Sequence, residues 1–312
     1  MTPSTPPATA IDDVVQGVEH EASKSGIRLF LWEKFVDSPA GKPVLLFVHG
    51  SSMASQPTFD LAVPGRPDSS VMDWFAKRGF VCWSVDMEGY GRSDKSRDIP
   101  CDTANGADDL AAATDYMRRA RGVERVMAYG ISSGALRAAL FAQQHPRRVS
   151  RLALDAFVWT GEGAPTLEQR RKKLPEFVAR NRRPIDRAFV QSIFARDHAA
   201  CAEPRVVEAF ADAILALDDS MPNGTYVDMC SKLPVVDPSS ITMPTLVLRG
   251  QYDGIAAFDD LIDFFKRLPN PDKQFSVLAG ISHASFQQKN YLTVYHILHA
   301  FFTQPEPVYV GT

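Results

Sequence analysis

The chain has 312 residues, 45% of them hydrophobic and 23% charged, with 34 Lys and Arg against 37 Asp and Glu for a formal net charge of -3. That composition belongs to a globular protein with a large core and excludes fibrous or disordered character. The absence of a basic excess argues against nucleic acid as a partner, and no apolar run approaches the ~20 residues of a membrane span.

Short β-rich runs alternate with longer helical patterns along the chain. Met1 to Ile11 has no basic, then apolar, leader pattern, so a flexible tail over residues 1–24 and a cytoplasmic location are expected. Strands are expected at Ile27–Phe35, Pro43–Val48, Phe80–Val85, Val123–Tyr129, Val149–Leu154, Thr245–Leu248 and Gln274–Leu278. Helices are expected at Ser70–Arg78, Ala107–Arg119, Ser133–Gln144, Phe258–Leu268 and Tyr291–Phe302, where apolar residues recur at spacings of three and four. This alternation predicts an α/β fold with a mostly parallel central sheet flanked by helices. From Phe157 to Pro238 no strand pattern occurs, and Pro175, Pro184, Pro204 and Pro222 break the segment into short helices. Residues 157–238 are therefore expected to form a helical cap inserted into a core of residues 25–156 and 239–304. Cys82, Cys101, Cys201 and Cys230 are widely spaced, which suits reduced thiols better than a zinc site or a disulfide framework.

The strongest chemical signal is Gly130-Ile131-Ser132-Ser133-Gly134, directly after an expected strand and before an expected helix. A serine on such a tight turn projects its hydroxyl above the sheet, and the turn demands small residues two positions to either side. With Ser132 as nucleophile those positions are Gly130 and Gly134; with Ser133 they would be Ile131 and Ala135. Ser132 fits. A neutral hydroxyl is a weak nucleophile, so it needs a histidine to take its proton and a carboxylate to orient that histidine. His283 alone among the seven histidines lies in a loop after a late strand. Asp253 and Asp155 both follow strands and compete as the acid, with Asp253 preferred because its loop can turn toward that of His283. The backbone N–H of Ser133, at a helix N-terminus, is an expected oxyanion donor. Ser52, Met53, Phe157 and Trp159 are the candidate pocket residues.

With these residues in place the sequence resembles the α/β-hydrolase family from about residue 25 to 303. The resemblance rests on His49-Gly50-Ser51-Ser52, Asp86-Met87-Glu88-Gly89-Tyr90-Gly91-Arg92-Ser93-Asp94, the Ser132 pentapeptide, His145-Pro146-Arg147-Arg148-Val149, Arg249-Gly250-Gln251-Tyr252-Asp253 and Gly280-Ile281-Ser282-His283. It implies the α/β-hydrolase fold and acyl transfer through Ser132, Asp253 and His283, with the N–H of Ser51 as the second oxyanion donor, Ser52 a close competitor for that place, and no metal or organic cofactor. Serine at the elbow separates the chain from dehalogenase and epoxide-hydrolase relatives that carry aspartate there. A lidded esterase for a small to medium carboxylic ester is the expected activity. The alternatives are a C–C bond hydrolase of a vinylogous diketone, a cofactor-free perhydrolase or acyltransferase, and a binding protein on the same fold. A homo-oligomer is compatible with the sequence. Between Arg170 and Arg187, eight basic residues face only Glu176 and Asp186. Most such runs are solvated helix faces; one arginine turned inward would instead suit a carboxylate-bearing substrate.

Overall fold

The computed structural model describes residues 14–309. In chain order its elements are β1 (Val15–Lys24), β2 (Ile27–Val36), β3 (Val44–Val48), α1 (Ser55–Phe59), α2 (Val71–Ala76), β4 (Val81–Val85), α3 (Thr103–Arg121), β5 (Val126–Ile131), α4 (Ser133–Gln144) and β6 (Val149–Asp155). There follow α5 (Pro165–Arg171), α6 (Leu174–Val178), β7 (Arg182–Pro184), α7 (Arg187–His198), α8 (Pro204–Leu215), β8 (Ser220–Pro222) and α9 (Gly224–Ser231). The chain ends with β9 (Thr245–Gly250), α10 (Phe258–Arg267), β10 (Lys273–Leu278) and α11 (Tyr291–Thr303). Among the described residues no helix is long and apolar enough to cross a membrane.

Eight strands form one sheet in the order β1-β2-β4-β3-β5-β6-β9-β10. The pairings of β1 with β2 and of β2 with β4 are antiparallel, and every pairing from β4 to β10 is parallel. β3, β4, β5 and β6 are buried almost throughout, which is why they read in the sequence as continuous apolar runs rather than as alternations. Two apolar layers cover the sheet. One joins Leu46, Val48, Leu110, Ala138 and Leu152 to the cap residues Phe194, Phe210 and Tyr226; the other joins Phe47, Phe75, Tyr129, Phe286 and Tyr295.

Two expectations need correction. Residues 15–24 are not part of a tail: they form β1, paired along its whole length with β2. As an edge strand it buries only Ala22 and directs Glu19 and Glu21 toward Arg92 and Arg28, so it carries almost no apolar signal. The rest of the expected tail, residues 1–13, lies outside the described residues. The segment between β6 and β9 is mainly helical but includes the short antiparallel pair β7 and β8. Pro175 and Pro204 stand in the first turns of α6 and α8, where a missing N–H costs nothing, whereas Pro184 and Pro222 lie on the two short strands.

Many hydrogen bonds fasten this segment to the sheet domain. Gly91 donates to Asp218 (2.9 Å), Arg182 to the Gly89 carbonyl (2.9 Å), Thr103 to Asp228 (2.8 Å) and Gly224 to the Pro100 carbonyl (2.7 Å). Trp159, Thr160 and Gly161 all donate backbone N–H bonds to the Asp260 carboxylate on α10. The cap is thus seated on the carboxyl ends of the parallel strands, where open α/β sheets place their sites.

Candidate active site

Ser132 lies between β5 and α4 with φ 57° and ψ -126°, a conformation that a non-glycine residue adopts only when its surroundings enforce it. The enforcement is visible in its neighbours. A Cβ on Gly130 would come within 2.5 Å of the Gly134 carbonyl oxygen, and one on Gly134 would collide with the carbonyls of Val48 and His49. The two glycines therefore let β5 turn into α4 while the helix presses against the end of β3. Gly134→Ala is expected to destabilise the fold by about 1–3 kcal/mol or more, because the obstacle is backbone that cannot rotate away. Denaturant unfolding measures this, and wild-type stability in that variant would contradict the packing account.

Ser132 occupies the N-cap of α4 without making a side-chain cap bond. Its hydroxyl instead meets His283 Nε2 at 2.9 Å, and His283 Nδ1 meets Asp253 Oδ2 at 2.9 Å. With the carboxylate accepting, Nδ1 carries the ring proton and Nε2 accepts from the serine. All three residues are buried. Asp253 follows β9, and its other oxygen accepts the N–H groups of Ile255 (2.8 Å) and Ala256 (3.2 Å). Burial on its own would raise the Asp253 carboxyl pKa, but attraction to His283 and these three donors hold it below the usual carboxylate range. Arg249 fixes the loop further by donating to the carbonyls of Ala256 (2.7 Å) and Asp253 (3.0 Å).

Asp155 faces elsewhere. Its Oδ2 accepts from the Tyr129 hydroxyl at 2.7 Å, within the aromatic layer where Phe286 stacks on Tyr129. Burial raises its carboxyl to about 7, against the opposing effect of the Tyr129 bond. Its backbone carbonyl accepts the Ser132 N–H at 2.8 Å, so the residue supports the serine turn through its main chain.

The loop after β3 closes the other side. A Cβ on Gly50 would lie 3.9 Å from Ser132 Oγ, which places this loop beside the hydroxyl. His49 is a strut: its Nδ1 donates to the Gly50 carbonyl (2.7 Å), its Nε2 accepts from the Met87 N–H (3.0 Å), and burial with the nearby Arg137 charge lowers its pKa to about 3. Fully buried Arg137 donates to the His49 carbonyl (3.1 Å) and ties α4 to the same loop. Asp86 accepts from the N–H groups of Ser55 (2.7 Å) and Arg92 (2.9 Å), which secures the chain leaving the loop. Among the described residues neither the Ser51 N–H nor the Ser133 N–H donates to another protein group.

Ser52 contacts the cap, with its hydroxyl 3.2 Å from that of Tyr226 and 3.1 Å from Arg183 Nη2. Met53 is buried in the apolar layer that contains Tyr226. Phe157 and Trp159 turn toward α10: Phe157 packs on Phe264 at 4.7 Å, and the Trp159 indole N–H donates to the Val236 carbonyl (3.1 Å). Those contacts pack both residues between core and cap. No pattern in the sequence marks Tyr226 or Arg170 individually, because only the folded cap brings α5, β7 and α9 together over the Ser52 loop. Among the described residues no cluster of three or more His, Cys, Asp and Glu side chains is placed to hold a metal ion.

A mostly parallel eight-stranded sheet with a strained serine at a strand-to-helix turn, hydrogen-bonded to a late histidine and aspartate, defines a hydrolase of the α/β-hydrolase superfamily. Within that class, residues 64–290 match the family described as serine aminopeptidase, S33, and the chain belongs to this family. It is 25% identical over 262 residues to a proline iminopeptidase of Neisseria meningitidis serogroup A, covering 73% of this chain and 79% of that protein. Solved structures share the fold. The 2-hydroxy-6-oxo-6-phenylhexa-2,4-dienoate hydrolase of Rhodococcus sp. strain RHA1 has a TM-score of 0.68 at 16% identity, over 93% of this chain and 100% of that one. A thermophilic esterase from Thermogutta terrifontis has a TM-score of 0.63 at 20% identity, over 92% of this chain and 100% of that one.

Proposed function

We propose that the protein is a serine hydrolase that cleaves a small to medium carboxylic ester through an acyl-enzyme on Ser132. The observation that carries this reading is the continuous Ser132–His283–Asp253 hydrogen-bond chain, 2.9 Å at each link, on a turn that holds the serine in a strained conformation. Ser132 Oγ attacks the acyl carbonyl while its proton passes to His283 Nε2. The Asp253 carboxylate fixes the tautomer and stabilises the imidazolium that forms. The carbonyl oxygen takes up the negative charge opposite the N–H groups of Ser133 and Ser51. As the tetrahedral species collapses, the bond to the leaving alkoxide breaks and His283 returns the proton to it. Water then attacks the acyl-enzyme by the same route in reverse, releasing the acid and restoring the serine hydroxyl.

Family membership favours a second reading, aminopeptidase activity. Such an enzyme has to hold a protonated amine, which calls for carboxylates facing the site. The cap cleft presents Arg170, Lys173, Arg183 and Arg196 around Tyr226 against the single carboxylate of Glu176, and that excess of positive charge favours the ester reading. The C–C bond hydrolase reading draws on likeness of fold alone. A fluorophosphonate probe is expected to label the protein. A panel of p-nitrophenyl esters run beside proline p-nitroanilide and a dienol diketone is expected to give its highest kcat/KM with an ester. Faster turnover of the anilide or the diketone would overturn the ester assignment.

A further inference from the structure

A cleft of about 410 Å³ in the cap is lined by Thr166, Arg170, Arg183, Phe189, Arg196 and Tyr226, among others. Three of its lining residues bond the loops that carry the serine centre. Thr166 donates its backbone N–H to the Gly254 carbonyl (3.1 Å), next to Asp253, while Tyr226 and Arg183 bond Ser52. Gly50 lies against Ser132, and the two residues of chain from Gly50 to Ser52 span at most ~7 Å, so the Tyr226 and Arg183 wall of the cleft stands near the serine.

Positive groups outnumber carboxylates here: Arg170, Lys173, Arg183 and Arg196 line the cleft against the exposed Glu176 alone, which among the described residues forms an ion pair with none of them. The Tyr226 ring is flanked by two guanidiniums, with the central carbon of Arg183 at 3.8 Å and that of Arg170 at 4.4 Å from its centroid. Among the described residues Arg170 and Arg183 form no ion pair, and Arg196 pairs only with Asp197, through Nε at 3.2 Å. Arg183 is 8% exposed. Its two terminal nitrogens are taken up by the carbonyls of Pro222 and Ser51, by Asn223 and by Ser52, but its Nε has no partner, and neither does the buried Nη2 of Arg196. Burying unpartnered cationic donors is costly unless an anion completes them. The strength of the local field shows in Tyr226: burial would raise its phenol, yet Arg170 and Arg183 bring it down to about 7.

We propose that the Arg170–Arg183–Arg196 cleft is a binding subsite for a carboxylate carried by the substrate, so that the preferred esters are monoesters of dicarboxylic acids. This rests on the serine-hydrolase reading for its catalytic half only. The free carboxylate lies between Arg170 and Arg196, near the Arg183 Nε, while the ester carbonyl lies at Ser132. Planar guanidinium donors suit a carboxylate's two oxygens.

The test compares p-nitrophenyl butyrate with the mono-p-nitrophenyl esters of glutaric, adipic and suberic acids. At least one acidic ester is expected to exceed the neutral one in kcat/KM by about tenfold or more, as charge-assisted bonds allow. Arg170→Met and Arg196→Met are each expected to lower that ratio severalfold, and Arg180→Met, an exposed arginine outside the cleft, to leave it unchanged. Equal kcat/KM for acidic and neutral esters in the wild type, or a ratio indifferent to Arg170 and Arg196, would overturn the subsite. Calorimetry reads binding apart from turnover: adipate is expected to bind and its uncharged diamide not. Adipate binding without fluorophosphonate labelling would uphold the subsite and remove the hydrolase reading. Labelling without adipate binding or acidic-ester preference would do the reverse.

Discussion

Ser132→Ala is expected to abolish fluorophosphonate labelling and to lower kcat for ester hydrolysis by roughly 10⁴-fold or more. The size of the effect follows from the geometry. Among the described residues the only hydrogen bond of His283 Nε2 is to Ser132 Oγ, and the strained turn holds that hydroxyl at the end of β5. Without the hydroxyl no acyl-enzyme forms, and what remains is the contribution of binding and of the oxyanion donors. Alanine keeps the small side chain that the φ 57° position tolerates, so the variant is expected to fold as the wild type does. Turnover of p-nitrophenyl esters at an undiminished rate would refute the nucleophile assignment.

The second large effect separates the two aspartates. Asp253→Asn is expected to reduce kcat by about 10³–10⁴-fold, because the amide cannot impose the tautomer with the proton on His283 Nδ1 or stabilise the imidazolium. Asp155→Asn is expected to leave catalysis largely intact and to change stability instead. Folding raises the Asp155 pKa from the ordinary carboxylate range to about 7, so between about pH 4 and 7 the native state retains a proton that the unfolded chain has lost. Stability then declines with rising pH across that window, by up to ~1.4 kcal/mol per unit, and an asparagine removes the decline while still accepting from Tyr129. Relative to the wild type, the variant's stability is therefore expected to increase as pH rises from 4.5 to 8, as read by denaturant unfolding. Loss of activity in Asp155→Asn with retention in Asp253→Asn would reverse the assignment.

The serine turn, the late histidine and the parallel strands were all legible in the sequence, for reasons that act over a few residues. Gly130 and Gly134 are demanded by backbone contacts within one turn, and a strand covered on both faces must be apolar throughout. Short-range constraints of this kind leave a mark on the residues that obey them. β1 left none, since an edge strand that buries a single alanine is specified by its pairing with β2 rather than by its own pattern. The basic run at residues 170–187 shows both situations. Lys172, Lys173, Arg180 and Arg187 are exposed, as such runs usually are, whereas Arg183 turns inward to bond the loop after β3, more than 130 positions away in sequence.

The sequence alone therefore determined the fold class and which serine and histidine are candidates for the chemistry, because turn sterics and strand burial act locally. Only the tertiary structure decided that Asp253 rather than Asp155 faces His283, and that Arg170, Arg183, Arg196 and Tyr226 converge in the cap. Those outcomes depend on how loops far apart in the chain pack against one another, and no spacing of residues encodes the direction in which a packed side chain finally points.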